Sequence, residues 1–212
     1  MAFQYFPGAT AVGISFNNGV LLASEQRVSF GNFLVNKNTK KTFVLTENVG
    51  AACAGMVADM NVLARQVAAL SKIRKMEIRR KVPTNSVAKL MSVIMFERRY
   101  FPLLTQVVVG GYDDKPRIYT LDPLGSLLPD EYAAVGSGAE MALGILDAQY
   151  NSQMNEDDAK SLAIKSIKAA IQRDAASGDG IDILTISNRG KNEESLKVSI
   201  LRSDGIAIFS IF

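Results

Sequence analysis

Ala9-Thr10-Ala11-Val12-Gly13-Ile14-Ser15-Phe16-Asn17-Asn18-Gly19-Val20-Leu21-Leu22-Ala23-Ser24-Glu25 is the stretch that decides how this chain folds. Thr10 to Phe16 is apolar and β-branched, Asn17-Asn18-Gly19 is a tight-turn signal, and Val20 to Ser24 follows as the partner strand. The chain therefore opens on an antiparallel hairpin. Further short runs at Phe33–Val35, Thr42–Leu45 and Val49–Cys53 are separated by polar turns and read as more strands.

The period then changes. From Met56 onward Met60, Leu63, Val67, Leu70 and Ile73 recur at helical spacing, and Ile78-Arg79-Arg80-Lys81 ends that helix. After Pro83, Thr84 or Asn85 can cap a second helix with Val87, Leu90, Met91 and Ile94 as its buried stripe. Strands return at Gln106–Val109, ended by Gly110-Gly111, and at Arg117–Leu121, ended by Asp122-Pro123. A third helix follows Gly136-Ser137-Gly138 and runs to about Tyr150. Asn155 caps a fourth, with Glu156, Asp157 and Asp158 in its positive-dipole first turn and Leu162, Ile164, Ile167 and Ile171 facing inward. The chain closes with strands at Ile181–Ile186, Lys197–Leu201 and Ile206–Phe209, the last pair joined by Ser203-Asp204-Gly205. Strands, two helices, strands, two helices, strands is the order of an α+β protein whose antiparallel sheets are covered by helix pairs. No linker or repeat interrupts it, so the chain reads as one domain.

Composition removes several chemistries. The 212 residues include no His and a single Cys. Without an imidazole a Ser-His-Asp or Cys-His nucleophile system is impossible, and a four-ligand zinc site lacks its donors. One cysteine forbids an internal disulfide. A hydrophobic share of 48% supports a real core, and a net charge of +3 is too small to argue nucleic-acid binding. Met-Ala-Phe-Gln-Tyr-Phe-Pro-Gly has no basic n-region, and no run reaches the roughly 18 apolar residues of a membrane helix. The expected location is the cytoplasm, with no membrane and no nucleic-acid partner. Taken singly, other features are bland. Gly136-Ser137-Gly138 reads as a capping turn, Lys72 to Lys81 as a solvated face or subunit contact, and Cys53 as a small core residue.

Together, several segments say more: Ala9 to Ile14 leading into Gly19 to Arg27; Lys37-Asn38-Thr39-Lys40-Lys41; Ala54-Gly55-Met56-Val57-Ala58-Asp59; and Arg173-Asp174-Ala175-Ala176-Ser177-Gly178-Asp179-Gly180-Ile181-Asp182. Tyr119 to Ser126 and Ala134 to Gly138 agree in order. From about Ala9 to Ile186 the chain resembles the β-type subunits of the archaeal proteasome core particle. That resemblance implies an N-terminal-nucleophile hydrolase with a four-layer αββα sandwich and no metal or cofactor. In the family a propeptide is removed after a glycine, and the exposed threonine attacks the peptide carbonyl with its own α-amine as base. An α-amine, with a pKa of about 7.7–8.0, is partly neutral at working pH, so no histidine is needed.

The resemblance makes Gly8 the glycine before the cut, Lys41 the site lysine and Gly55 the oxyanion donor. It makes Ser137, Asp174 and Ser177 the polar network around the amine, and puts Val28, Cys53 and Val57 beside the substrate side-chain pocket. Two positions depart from the pattern. Ala9 stands where the nucleophile belongs and has no oxygen. Glu25 stands where active members carry aspartate, and its extra methylene moves the carboxylate that should anchor Lys41 unless a small shift absorbs it. Thr10 could replace the nucleophile only by a one-residue slip of its strand, which turns side chains to the opposite face. The reading that follows is a non-catalytic β subunit working beside an active sister, with α subunits, in seven-membered rings stacked into a barrel that admits unfolded polypeptide. The alternative is an active threonine peptidase carrying a Thr→Ala change at position 9.

Overall fold

Two five-stranded antiparallel sheets meet face to face, and a pair of helices covers the outer side of each. The computed structural model describes residues 8–198. Its elements are β1 (Thr10–Phe16), β2 (Gly19–Glu25), β3 (Val28–Phe30), β4 (Phe33–Asn36), β5 (Thr42–Val44), β6 (Val49–Gly55), α1 (Val57–Ile78) and α2 (Thr84–Glu97). They continue as β7 (Thr105–Tyr112), β8 (Pro116–Leu121), β9 (Leu127–Asp130), β10 (Tyr132–Gly136), α3 (Ala139–Gln149), α4 (Glu156–Arg173), β11 (Gly180–Ser187) and β12 (Gly190–Lys197). One sheet runs β10-β1-β2-β11-β12, the other β5-β6-β7-β8-β9, and β3-β4 forms a separate ribbon.

Strand alternation sorts the core into three layers. Val12, Ile14, Leu21 and Ala23 face α3 and α4, where they pack with Leu146, Leu162 and Ile167. Val49, Ala51, Cys53, Val107 and Val109 face α1 and α2, packing with Met60, Val67, Val87 and Met91. Between the sheets lie Ala9, Ala11, Leu22, Ala52, Ala54, Val108 and Leu184. Glycines let the sheets close: a Cβ on Gly13 would fall 2.5 Å from Val108 Cγ1, and one on Gly50 2.5 Å from Leu184 Cδ2. The layers are thus helix, sheet, sheet, helix, the αββα sandwich expected from the sequence.

Several local expectations need correction. Leu70 and Ile73 do not join the buried stripe of α1; they are 39% and 49% exposed, while Ser71 is buried and Ile78 packs against the core, so the inward face of this stretch runs through other positions. Neither Thr84 nor Asn85 caps α2. Pro83 holds the cap position and the Thr84 N–H donates to the Asp113 carboxylate, 2.9 Å away at Oδ2. The sequence also hid β3, β9, β10 and β12. Leu127–Asp130 is mostly exposed, and Gly190–Lys197 is an almost wholly polar edge strand. Lys197 ends β12 instead of opening a strand; the rest of Lys197–Leu201 beyond Val198, with Ile206–Phe209, lies outside the described residues. Asn155 does cap α4, its side chain accepting from the Asp158 N–H at 2.9 Å.

Candidate active site

Residue 9 enters β1 through a gap that only small residues allow. A Cβ on Gly8 would lie 2.3 Å from Ala176 Cβ and 2.7 Å from Ser137 Oγ. A Cβ on Gly136, at φ +98°, would lie 2.1 Å from the Ala9 carbonyl oxygen. Ala9 is fully buried, with its methyl between the sheets beside Ala54. Its N–H donates to Ser137 Oγ at 3.1 Å.

From there a chain of hydrogen bonds runs inward. Ser137 Oγ donates to Asp174 Oδ2 at 2.6 Å, and Ser177 Oγ donates to the same oxygen at 2.7 Å. With its proton so used, Ser177 Oγ accepts from Thr10 Oγ1, also at 2.7 Å. The Asp174 carboxylate is fixed by the end of α4 and by its own Oδ1, which accepts the Ala176 N–H at 3.1 Å. Thr10 points away from the inter-sheet face: a Cβ on Gly138 would meet Thr10 Oγ1 at 2.1 Å and Ala170 of α4 at 2.7 Å.

Beneath this network lies a buried ion pair. Lys41 and Glu25, 1% and 0% exposed, bond through Lys41 Nζ and Glu25 Oε1. Lys41 Nζ also donates to the Arg27 carbonyl at 2.6 Å. Three backbone N–H groups complete the carboxylate: Thr10 at 3.4 Å to Oε1, Arg27 at 2.6 Å and Gly178 at 3.1 Å to Oε2. Burial pushes the Glu25 carboxyl above its ordinary range, while Lys41 and the backbone donors pull it back. The extra methylene of Glu25 is absorbed without loss of the anchor on Lys41.

Gly55 ends β6 at φ +130°, where a Cβ would sit 2.2 Å from the Leu104 carbonyl oxygen. The neighbouring Ala54 touches the residue-9 pocket, and its carbonyl accepts from Thr105 Oγ1 at 3.2 Å. Val28 and Val57 are half-buried, whereas Cys53 is 1% exposed and faces α1. Burial pushes the Cys53 thiol up to about 12, against a smaller opposing pull from the Thr105 hydrogen bond. The structure therefore gathers Ala9, Thr10, Glu25, Lys41, Ser137, Asp174 and Ser177 around one point and puts Gly55 one residue from it.

Sequence reasoning missed two supports. Arg27 Nε donates to Asp179 Oδ2 at 2.8 Å, and that carboxylate holds the guanidinium above its ordinary value. The guanidinium lies so close to Gly178 that a Cβ there would fall 2.4 Å from Arg27 Cζ. Gln106 Oε1 accepts the Gly136 N–H at 2.8 Å, fixing the loop over Ala9. Pairs separated by 152 and 30 residues leave no local signal. Gly136-Ser137-Gly138 is indeed followed by α3, but Gly138 offers no side-chain cap; the loop's work is to close on residue 9. Among the described residues no three His, Cys, Asp or Glu side chains group to hold a metal, and no helix is long and apolar enough to cross a membrane.

Residues 5–186 match the family described as Proteasome subunit. A protein named Proteasome subunit beta 1 in Nitrosopumilus maritimus is 65% identical over 190 residues, covering 90% of this chain and 96% of that one. One of the same name in Cenarchaeum symbiosum is 63% identical, covering 88% and 97%. Proteasome subunit beta 2 of Pyrobaculum calidifontis is 45% identical, covering 92% and 96%. By the family match and these relatives, the chain belongs to the proteasome subunit family, as a β-type subunit of the archaeal core particle.

Proposed function

We propose that this chain is a non-catalytic β subunit, building the protein-degrading core particle beside an active sister. One observation carries the reading: the position that the family uses for its nucleophile bears a methyl group. Residue 9 has no hydroxyl to attack a carbonyl, and none to release the preceding segment by an acyl shift. Thr10 is a poor substitute. Its hydroxyl hydrogen-bonds to Ser177, on the face of β1 opposite the Ala9 methyl, and a one-residue slip would break the whole register with β2 and β10.

The same residues keep a structural purpose without chemistry. Ser137, Asp174, Ser177 and Thr10 satisfy one another, and Glu25 with Lys41 joins β2 to the start of β5. Family membership implies α subunits as partners and stacked rings. We extend this to an active β sister in seven-membered rings, unfolded polypeptide in the chamber, a cytoplasmic location, an uncut segment at residues 1–8 and a single domain after it. Rings assembled from this chain and α subunits alone should show no peptidase activity. Hydrolysis by that assembly, blocked by an inhibitor specific for N-terminal threonine, overturns the proposal.

A second reading has a specific observation in its favour. Apart from residue 9 the network is complete, and Glu25 anchors Lys41 despite its length. That is what an active peptidase with a Thr→Ala change at position 9 would look like. Ala9→Thr separates the two: if that one change gives processing after Gly8 and turnover, the remaining site was competent. If the variant stays uncut and inert in assembled rings, the loss of function lies deeper than one hydroxyl.

A further inference from the structure

On the same sheet as the residue-9 network, a second buried carboxylate is left incomplete. Lys40 and Thr42, with strands β11 and β12, line a cavity of about 180 Å³ that opens to solvent; Asp182, Glu193 and Ser195 are among its walls. Asp182 is 7% exposed. Its Oδ1 accepts from Gln26 Nε2 at 2.6 Å, but its Oδ2 is buried without any hydrogen-bond partner. Directly opposite on β2 stands Ser24, fully buried, and its Oγ has no partner either. Opposite Asp182 on the other side is Ser195, whose Oγ takes the Gln26 Nε2 at 2.8 Å. Opposed residues of antiparallel strands share a face, so Ser24, Asp182 and Ser195 form one polar row.

The neighbouring cations are engaged elsewhere. Lys40 pairs with Glu193 at the cavity mouth, Lys160 with Glu194, and Lys197 Nζ reaches Gln26 Oε1 and Asn38 Oδ1 at 3.3 and 2.8 Å. A buried carboxylate oxygen and a buried hydroxyl, both unsatisfied and in register, are hard oxygen donors awaiting a hard cation. We propose that a monovalent cation such as Na⁺ binds at the Asp182 wall of this cavity, held by Asp182 Oδ2 and by Ser24 Oγ of the adjoining strand, with water from the cavity completing the shell. The charge matches: one carboxylate is uncompensated, whereas a divalent ion would call for more acidic ligands than the described residues group anywhere. Bound there, the ion would tie β11 to β2 within the sheet that also carries Glu25 of the residue-9 network.

Melting of the full chain in sodium, potassium and choline chloride at equal chloride concentration tests this. A saturable rise in Tm with sodium or potassium over choline is expected, together with broadening of the sodium NMR line by the protein. Asp182→Asn should abolish both, and Ser24→Ala should raise the half-saturating sodium concentration roughly tenfold, as loss of one supporting ligand does. Equal melting in all three salts with an unbroadened line means that water alone fills the cavity, and overturns the proposal. A saturable rise that survives in Asp182→Asn, or that only magnesium produces, overturns it too. Should Asp182→Asn fail to fold, Ser24→Ala carries the same decision.

Discussion

Glu25 and Asp182 are both buried carboxylates on neighbouring strands of one sheet, yet their surroundings differ completely. Glu25 accepts from the Lys41 ammonium and from three backbone N–H groups. Asp182 has one oxygen bonded to Gln26 and the other bonded to nothing. A buried charge is tolerable when its counter-charge and hydrogen bonds are built in, and costly when they are not. The difference separates a network that holds itself together from one that waits for something outside the chain. It also explains how the residue-9 site can keep its shape with no reaction to perform.

The sharpest way to break the comparison is to remove the charge at the completed site. Glu25→Gln leaves the Lys41 ammonium buried without its counter-ion, a loss of about 3–5 kcal/mol in unfolding free energy by denaturant titration. A loss under about 1 kcal/mol would mean that the pair contributes little to the fold. Next in size is the backbone that brings Ala54 and Gly55 to the site. Gly55→Ala forces a side chain into φ +130° and against the Leu104 carbonyl, and should cost roughly 1–3 kcal/mol. Wild-type stability in that variant would show that the β6 end relaxes freely.

A smaller effect reports on the core layer between the second sheet and α1 and α2. Burial has pushed the Cys53 thiol up to about 12, so almost no thiolate exists at neutral or mildly alkaline pH. Labelling of Cys53 by iodoacetamide should therefore be negligible in the native chain and become fast only with global unfolding. Rapid labelling of the folded protein at pH 8 would place Cys53 on an open pocket wall.

How much of this could be read from the residues depends on how local each cause is. The β1–β2 hairpin was legible because Asn17-Asn18-Gly19 sits between two apolar runs, and α4 because Asn155 and three acidic residues mark its start. The residue-9 site was legible only through resemblance: its members come from β1, β2, the approach to β5, the loop before α3 and the end of α4. No spacing rule joins them. Strand β12 was invisible because an edge strand with both faces largely wet carries no apolar alternation, as Gly190-Lys191-Asn192-Glu193-Glu194 shows. The cap of α2 was invisible for another reason, since Asp113 supplies it from 29 residues away. Leu70 and Ile73 keep the helical period but stay exposed while Ser71 is buried, so periodicity identified the helix without fixing which face its second half turns inward.

The smallest expected effect is the most telling for the comparison. Asp182→Asn keeps the shape of the side chain and can still accept from Gln26, while removing a negative charge that has no positive partner. In choline chloride, where no small cation can enter, the variant should match the wild type within about 0.5 kcal/mol or exceed it, because an uncompensated buried charge is relieved. In sodium chloride the order should reverse, since the wild type alone gains from binding, by an amount that grows with ligand concentration. The same exchange at Glu25 should be destabilising in either salt. If Asp182→Asn instead costs as much as Glu25→Gln in choline, then Asp182 already has its counter-charge within the fold, and the two carboxylates are the same kind of site.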